Sequence, residues 1–318
     1  MNESPFFSIF VSVYNRPEEI KRCVQSCLEQ SFGDFEVIVV DDCSTDRTYA
    51  ELEKITDPRV KLIRHSVNKG QGAARNNGVA AAKGDWLIRL DSDHALLSGA
   101  LENLHQKCLA IPHEIDNIGA RYRWDTGQIT PYSVPEQPLD YPARIRWAEA
   151  EGGHDYVSCS RRRVFQRMRW FECMDTNSLM QLDQASMFLT QMYPDEIAME
   201  YSDSPSILRS PAKLRWKMRT KWAHAQADYL ELLLSKHGEA LRKYGPWQFK
   251  RALRFAAFYS FLSGRKMKGL NYSVRYLKTA PGSFSGWMLL IFGVIGPAAM
   301  EFAYILRDRF ALEDLAQQ

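Results

Sequence analysis

Short apolar runs alternate with helix-like segments over the first ninety residues. The runs are rich in β-branched side chains, as in strands buried on both faces of a parallel sheet. Four of them are predicted strands: residues 7–14, 35–40, 60–64 and 86–90. The segments between them are predicted helices: residues 17–30, a helix through 55 capped by Ser44 or Thr45, and residues 71–82. This alternation predicts an α/β fold with a doubly wound, mostly parallel sheet and flanking helices.

Acidic residues follow two of the predicted strands. Asp41 and Asp42 end the second strand, and Asp91-Ser92-Asp93 follows the fourth. Ligands of doubly wound sheets bind outside the carboxyl ends of the strands, so both clusters are expected to face one crevice. A D-x-D pair there suits Mg²⁺ or Mn²⁺, which would neutralise a diphosphate leaving group. D-x-D alone also fits a solvated acidic turn or a helix cap, but the surrounding pattern favours the metal site.

Charge divides the chain in two. Residues 1–204 carry 22 Lys/Arg against 31 Asp/Glu, a net charge of −9, and the remainder carries 19 against 7, a net charge of +12. We predict a catalytic domain over 1–204, with a donor half (1–110) and a looser, Pro-rich acceptor half (111–204). Residues 205–318 are predicted to form a basic, membrane-associating helical region. Nucleic acid is not an expected partner, because no nucleic-acid-binding motif accompanies the basic residues.

The C-terminal region alternates basic with aromatic or apolar residues over 213–222, and no charged residue occurs over 279–300. This pattern favours attachment to an anionic membrane face, with 279–300 lying in the interface rather than crossing the bilayer. An amphipathic helical subdomain, a buried core helix or a dimer contact are the alternatives. The N-terminus lacks signal-peptide features, and the six cysteines form no CxxC pair. We therefore expect a cytoplasmic protein associated peripherally or monotopically with the inner face of the membrane. The sequence indicates no oligomeric state.

Two segments carry a specific family resemblance. They are FVSVYNRPEEIKRCVQSCLEQSFGDFEVIVVDDCSTDRT and NKGQGAARNNGVAAAKGDWLIRLDSD. They resemble the donor-binding half of glycosyltransferase family 2, the inverting GT-A enzymes, of the type that builds bacterial cell-surface glycans. The resemblance covers roughly the first third of the chain.

The resemblance implies roles for individual residues. Ser12 and Tyr14 would flank the nucleotide base, Asp42 would bind it, Arg75 would approach the diphosphate, Asp91 the ribose and Asp93 the metal. The family usually has a further Asp where this chain has His94. That departure makes Asp93 the main protein ligand and leaves His94 either a second ligand or a structural residue.

Inverting transfer also needs a general base for the acceptor hydroxyl. In the family, an acidic residue near the start of a helix follows an aromatic-acidic turn. Trp170-Phe171-Glu172 is similar to that turn. Leu182-Asp183-Gln184, which precedes a predicted helical stretch over 185–192, is similar to the family's Glu-Asp pair of acidic residues. This chain has Leu182 in place of the first acid of that pair. We predict Asp183 as the base, with Asp175 and Glu172 as alternatives. Asp183 could instead be a helix N-cap or first-turn acid. The run Arg161–Arg163 could meet a phosphate or form a solvated face.

The predicted function is the transfer of a single sugar from a nucleotide-diphosphate donor, with uracil favoured as the base, to a lipid-linked or cell-surface glycan. The cofactor would be Mn²⁺ or Mg²⁺. A sugar nucleotidyltransferase is one alternative, although it would need a Gly-rich basic loop after the first strand. The second alternative is a non-catalytic membrane scaffold that binds a nucleotide sugar. The departures from the family pattern at Leu182 and His94 favour this alternative.

Overall fold

The computed structural model describes residues 4–152, 156–173, 177–202, 212–302 and 304. The chain divides into two compact units, Met1–Ser204 and Pro205–Gln318.

A single sheet organises the first unit. Its described strands are β1 (Phe7–Val13), β2 (Phe35–Asp41), β3 (Val60–Arg64), β4 (Trp86–Arg89), β5 (His94–Leu96), β6 (Ile115–Trp124), β7 (Ile129–Thr130), β8 (Val157–Arg161) and β9 (Leu189–Glu200). The strand order is β3-β2-β1-β4-β8-β6-β9-β5, with β7 paired to β6. The first four strands are parallel, whereas β8 runs antiparallel to both β4 and β6. The predicted doubly wound α/β sheet with flanking helices is confirmed, and antiparallel pairings extend its second half.

Helices flank this sheet. In the described part of the first unit they are α1 (Pro17–Leu28), α2 (Thr48–Leu52), α3 (Gln71–Ala81), α4 (Ala100–Ala110), α5 (Tyr141–Ala150), α6 (Arg162–Phe165) and α7 (Asn177–Met187). Helix α1 begins at Pro17, whose fixed φ suits the first helical position. It buries residues three and four apart against the sheet, namely Ile20, Cys23, Val24 and Cys27. The periodic apolar positions of the sequence thus become the core.

The loops that follow β1 and β2 are joined by hydrogen bonds. The backbone N–H of Asn15 donates to Ser44 Oγ at 2.9 Å, and the N–H of Thr45 donates to Asn15 Oδ1 at 2.8 Å. Because Ser44 and Thr45 are engaged there, the predicted cap of the second helix is wrong. Helix α2 begins at Thr48, whose N–H donates to Asp46 Oδ1 at 2.9 Å.

The predicted helical stretch over 185–192 is also wrong. Helix α7 ends at Met187, and β9 begins at Leu189, where it pairs with β6 and β5. A short apolar run does not distinguish a helix from a strand, and long-range pairing decides the outcome here. Asp183 consequently lies in the middle of α7 rather than near its start, so the prediction of a cap or first-turn position is wrong as well.

The aromatic-acidic turn packs directly on α3. A Cβ at Gly72 would lie 2.2 Å from the carbonyl oxygen of Phe171, so only glycine permits this approach. Asn76 Nδ2 donates to the carbonyl oxygen of Trp170, and the Trp170 N–H donates to Asn76 Oδ1, both at 2.9 Å. These contacts hold the turn beside the helix that carries Arg75.

The second unit is helical in its described residues. Its helices are α8 (Ala212–Lys221), α9 (Ala223–Tyr244), α10 (Pro246–Leu262), α11 (Lys266–Thr279) and α12 (Phe284–Ile295). Trp216, Phe261 and Met300 form a small apolar core there. Within the residues that the structure describes, no helix has both the length and the apolar character needed to cross a bilayer.

Candidate active site

The residues that follow β4 line a small pocket. Its volume is about 120 Å³. The side near β4 is formed by Arg89, Asp91, Asp93 and His94, and the remaining wall by Tyr122, Tyr156, Val157 and Glu200. Strands β6 and β9 bring Tyr122 and Glu200 to the pocket from distant parts of the chain. The pocket therefore joins the predicted donor half to the predicted acceptor half.

A buried arginine holds Asp91. Arg75 is 1% exposed, and its Nη2 lies 2.8 Å from Asp91 Oδ1, while its Nη1 donates to Asn177 Oδ1. Burial alone would raise the pKa of Asp91, but the charges of Arg75, Arg89 and His94 outweigh it and hold that pKa well below its usual range. Asp91 is thus an anion with fixed partners, and the structure brings together two residues predicted to contact the donor.

Asp93 faces a second arginine. Arg16 Nη1 lies 2.6 Å from Asp93 Oδ2 and 3.2 Å from Ser92 Oγ. Among the described residues, no group of three His, Cys, Asp or Glu side chains is arranged to hold a metal. A metal at Asp93 stays a prediction; a divalent ion there would take this one protein carboxylate and fill its other positions with substrate phosphate and water.

His94 contacts a carboxylate on β9. Its Nε2 lies 3.3 Å from Glu200 Oε2, and its ring lies against Tyr122 with the centroids 4.6 Å apart. Burial alone would lower the pKa of His94, but Glu200, Asp91 and Asp93 together raise it above its ordinary value. This environment favours an imidazole that pairs with Glu200. A role for His94 as a metal ligand stays a prediction.

Asp42 lies at the centre of a buried polar network. Its Oδ1 accepts from the backbone N–H of Lys69 at 2.8 Å and lies 2.7 Å from His65 Nδ1, and its Oδ2 accepts from the N–H of Gly70 at 2.7 Å. Asn77 Nδ2 lies 2.7 Å from His65 Nε2. Because an amide NH₂ only donates, Nε2 accepts and Nδ1 carries the proton given to Asp42. A carboxylate has roughly four acceptor positions, two on each oxygen. The described residues occupy two on Oδ1 and one on Oδ2, which leaves one position on Oδ2.

Ser12 and Tyr14 lie at the carboxyl end of β1, next to the end of β2. Ser12 is partly buried in the strand, and Tyr14 follows it with 40% of its surface exposed. Ser12 is aligned with Val40, two residues before Asp42. The structure therefore brings the three residues predicted to contact the base to the same edge of the sheet.

The three candidate bases have different surroundings. Asp183 lies inside α7, where its charge adds to burial in raising the pKa of Tyr141. Glu172 is exposed, pairs with Arg169 at 3.3 Å and lies 3.5 Å from Asn76 Nδ2. Asp175 lies outside the described residues. The assignment of the base stays a prediction.

The arginine run lies away from this pocket. Arg161 is aligned with Trp86, the first residue of β4, whereas Asp91 follows the last residue of that strand. Arg162 contacts the Lys83 carbonyl oxygen, and Arg163 pairs with Asp116. These contacts fit a structural role rather than contact with a donor phosphate in the pocket.

Sequence reasoning missed several residues of the site, among them the charged or polar residues Arg16, Arg89, Asn177 and Glu200. Arg89 could have been found from the sequence, because it is the one charged residue in the apolar strand segment WLIRL. Asn177 begins α7 and contacts Arg75 and Arg89, and Glu200 ends β9, so only the tertiary fold places these two. Arg16 stands in the loop after β1 and had no distinguishing pattern.

Sequence comparison identifies the family. The profile described as "Glycosyl transferase family 2" matches residues 8–171, about half of the chain. This chain belongs to glycosyltransferase family 2. Its prediction as a glycosyltransferase is thereby confirmed, and neither the nucleotidyltransferase nor the scaffold alternative is favoured.

Curated relatives match this glycosyltransferase over part of their length. The succinoglycan biosynthesis protein ExoO of Rhizobium meliloti (strain 1021) is 39% identical over 120 residues, which are 37% of this chain and 34% of that protein. The GalNAc(5)-diNAcBac-PP-undecaprenol beta-1,3-glucosyltransferase of Campylobacter jejuni is 36% identical over 106 residues, which are 32% of this chain and 34% of that protein. The matched part thus spans about a third of each relative.

A solved structure shares the fold of this glycosyltransferase. S. aureus TarS 1-349, solved in complex with UDP-GlcNAc, aligns with a TM-score of 0.56 at 17% identity, covering 89% of this chain and 90% of that one. At this identity the likeness shows the fold alone, and it confirms the predicted GT-A fold.

The Asp42 network predicts a stability effect of His65. His65→Ala should lower the free energy of unfolding by about 1–3 kcal/mol, because it leaves the buried Asp42 carboxylate short of one partner. Thermal unfolding measures the loss. His65→Gln, which can both donate and accept, should recover part of it.

His113→Ala is the matched control, since His113 is exposed. Its melting temperature should stay close to that of the wild type. Equal melting temperatures for the two alanine variants would contradict the network.

Proposed function

We propose that this family 2 enzyme transfers one sugar from a UDP-sugar, by inverting single displacement, to a lipid-linked or cell-surface glycan of bacterial polysaccharide biosynthesis. The observation that carries the proposal is the pocket after β4, which Asp91 and Asp93 line; Asp91 pairs with the buried Arg75, and Asp93 pairs with Arg16. The related proteins of Rhizobium and Campylobacter support a place in glycan assembly.

The base would be held at the edge of β1 and β2. Tyr14 is exposed enough to pack on a base, and Ser12 lies two residues before it. The remaining acceptor position on Asp42 Oδ2 suits an N–H donor, and uracil carries one at N3. The UDP complexes of TarS support the same choice of donor.

Asp91 and Arg75 would meet the ribose and the diphosphate. A carboxylate with a depressed pKa stays ionised and accepts hydrogen bonds from ribose hydroxyls. The buried Arg75 guanidinium would supply fixed positive charge to the leaving group. Arg75 is held by Asn177 and by Asp91.

Asp93 would bind Mn²⁺ or Mg²⁺ together with the donor phosphates. When bound, the ion neutralises the negative charge that develops on the diphosphate leaving group. Asp93 lines the pocket with its side chain 18% exposed, so its carboxylate is accessible to a ligand. Arg16 balances part of its charge.

Replacement of Asp93 tests the metal assignment. Asp93→Asn should lower kcat/KM at least about 100-fold, since one charged ligand is lost from a transition-state contact worth about 3–4 kcal/mol. It should also abolish the Mn²⁺-dependent part of UDP binding in calorimetry, while metal-independent binding persists.

Asp85→Asn is the control for that change. Asp85 pairs with Arg162 beside the start of β4, away from the pocket. Its turnover and its metal dependence should match the wild type. Near wild-type turnover of Asp93→Asn would refute the metal assignment.

An acid on the acceptor side would deprotonate the attacking hydroxyl. The first residue of α7, Asn177, contacts Arg75 and Arg89 at the donor pocket, so the start of α7 is close to the reacting centre. Asp183 lies six residues further, about 9 Å along the helix axis. Asp183 is our proposed base, and Asp175 and Glu172 are the alternatives.

Three amide variants separate these candidates. Asp175→Asn, Asp183→Asn and Glu172→Gln each remove one charge at nearly constant volume. We expect Asp183→Asn to lower kcat by about 100-fold or more with an unchanged Kd for the donor, because a general base contributes about 10²–10⁴-fold. The other two should keep most of their kcat. A comparable loss in Asp175→Asn or Glu172→Gln, with near wild-type kcat in Asp183→Asn, would move the assignment to that residue.

Membrane association would bring the enzyme to its acceptor. The second unit carries most of the excess positive charge of the chain, and the Campylobacter relative is named for an undecaprenyl-linked acceptor. We place this enzyme at the inner face of the membrane, attached through the basic and apolar second unit.

A further inference from the structure

The second unit contains an aromatic cavity of about 350 Å³. This volume is within the range of about 300–1,000 Å³ that is typical of small-molecule sites. Its wall is formed mainly by apolar side chains of α10 and α12, among them Phe255, Phe258, Met288, Leu289 and Phe292. Such a wall suits a hydrocarbon chain rather than a sugar or a nucleotide.

Two arginines line the same cavity. Arg219 of α8 donates to the hydroxyl of Tyr259 at 2.7 Å and lies near several aromatic rings, and Arg254 of α10 lies over Phe255 at 5.5 Å. Neither arginine forms an ion pair with an acidic residue in the described part of the chain. A partly buried guanidinium without a countercharge is costly, so an anionic ligand would be stabilised there.

Two described acidic residues of this unit have other basic partners. Asp228 and Glu231 pair instead with Arg265 and Lys268. The cavity therefore combines an apolar wall with two cationic groups in a unit of strong positive charge.

Helix α12, which forms part of the wall, also exposes apolar side chains. Phe284 is 77% exposed, Trp287 49%, Ile291 51% and Ile295 66%, and the helix has no charged residue. An exposed face of this kind, beside basic residues, is typical of helices that lie in a lipid interface. The cavity is therefore next to a surface that suits the acyl region of a bilayer.

We propose that this cavity binds a single anionic phospholipid, with its phosphate between Arg219 and Arg254 and one acyl chain along the aromatic wall. The inference rests on the proposed membrane attachment and deepens it, because it replaces general charge attraction with a defined site. It does not depend on the chemistry at Asp91 and Asp93.

A soluble short-chain lipid tests the site without a bilayer. The probe is dihexanoyl phosphatidylglycerol, kept below its micelle-forming concentration and titrated into the full chain by calorimetry. We expect saturable binding at one site. Arg219→Gln/Arg254→Gln should raise Kd at least tenfold, and Arg254→Gln alone, which removes no hydrogen bond of the fold, should raise it severalfold.

Two controls separate the site from bulk charge. Lys213→Gln/Lys217→Gln removes the same charge from exposed positions of α8 and should change Kd less than twofold. Dihexanoyl phosphatidylcholine, whose head group has no net charge, should bind at least tenfold more weakly. Equal losses in the two double variants, equal affinity for both lipids, or no saturable binding to the wild type would each overturn the proposal.

Vesicle binding distinguishes this failure from failure of the attachment itself. If the short-chain lipid does not bind but vesicles containing phosphatidylglycerol still do, the membrane attachment stands and the cavity site is wrong. If vesicles of that composition do not bind either, the attachment proposal fails as well.

Discussion

The ion pair between Arg75 and Asp91 is the constraint on which the site depends. A guanidinium that is almost fully buried needs fixed partners, and removing one partner of a buried pair typically costs about 3–5 kcal/mol. Asp91 supplies the charge from the end of β4, and Asn177 supplies an oxygen from the start of α7. Arg75 itself lies on α3. One side chain therefore fixes the relative positions of three elements that come from both halves of the first unit.

Charge balance around the pocket follows from that constraint. Asp91, Asp93 and Glu200 contribute negative charges, and each contacts a basic side chain, respectively Arg75, Arg16 and His94. The crevice is thus not simply acidic. In the proposed function the arginines would meet the diphosphate and the carboxylates the ribose and the cation, and side chains already held by partners are preorganised for such a role.

The first ninety residues could be predicted well because their signals are local. Each signal lies within a few residues of the element that it predicts: the apolar runs of buried strands, the proline at the start of α1, and the acidic residues at strand ends. Prediction failed where distant contacts decide. The residues from Leu189 onward became part of β9 because β6 and β5 flank that strand, and Glu200 reaches His94 only through this pairing. Asp183 was misplaced as well, since α7 begins six residues earlier, at Asn177, which contacts Arg75 and Arg89.

The most direct measurement of the central claim is the thermal unfolding of the full chain with a panel of nucleotide sugars, with and without Mn²⁺. A ligand that binds the native state at about 100 times its Kd stabilises it by about 2.7 kcal/mol. The account predicts that a UDP-sugar raises the melting temperature by several degrees and that Mn²⁺ enlarges the increase. No stabilisation by any nucleotide sugar, or stabilisation that Mn²⁺ leaves unchanged, would contradict it.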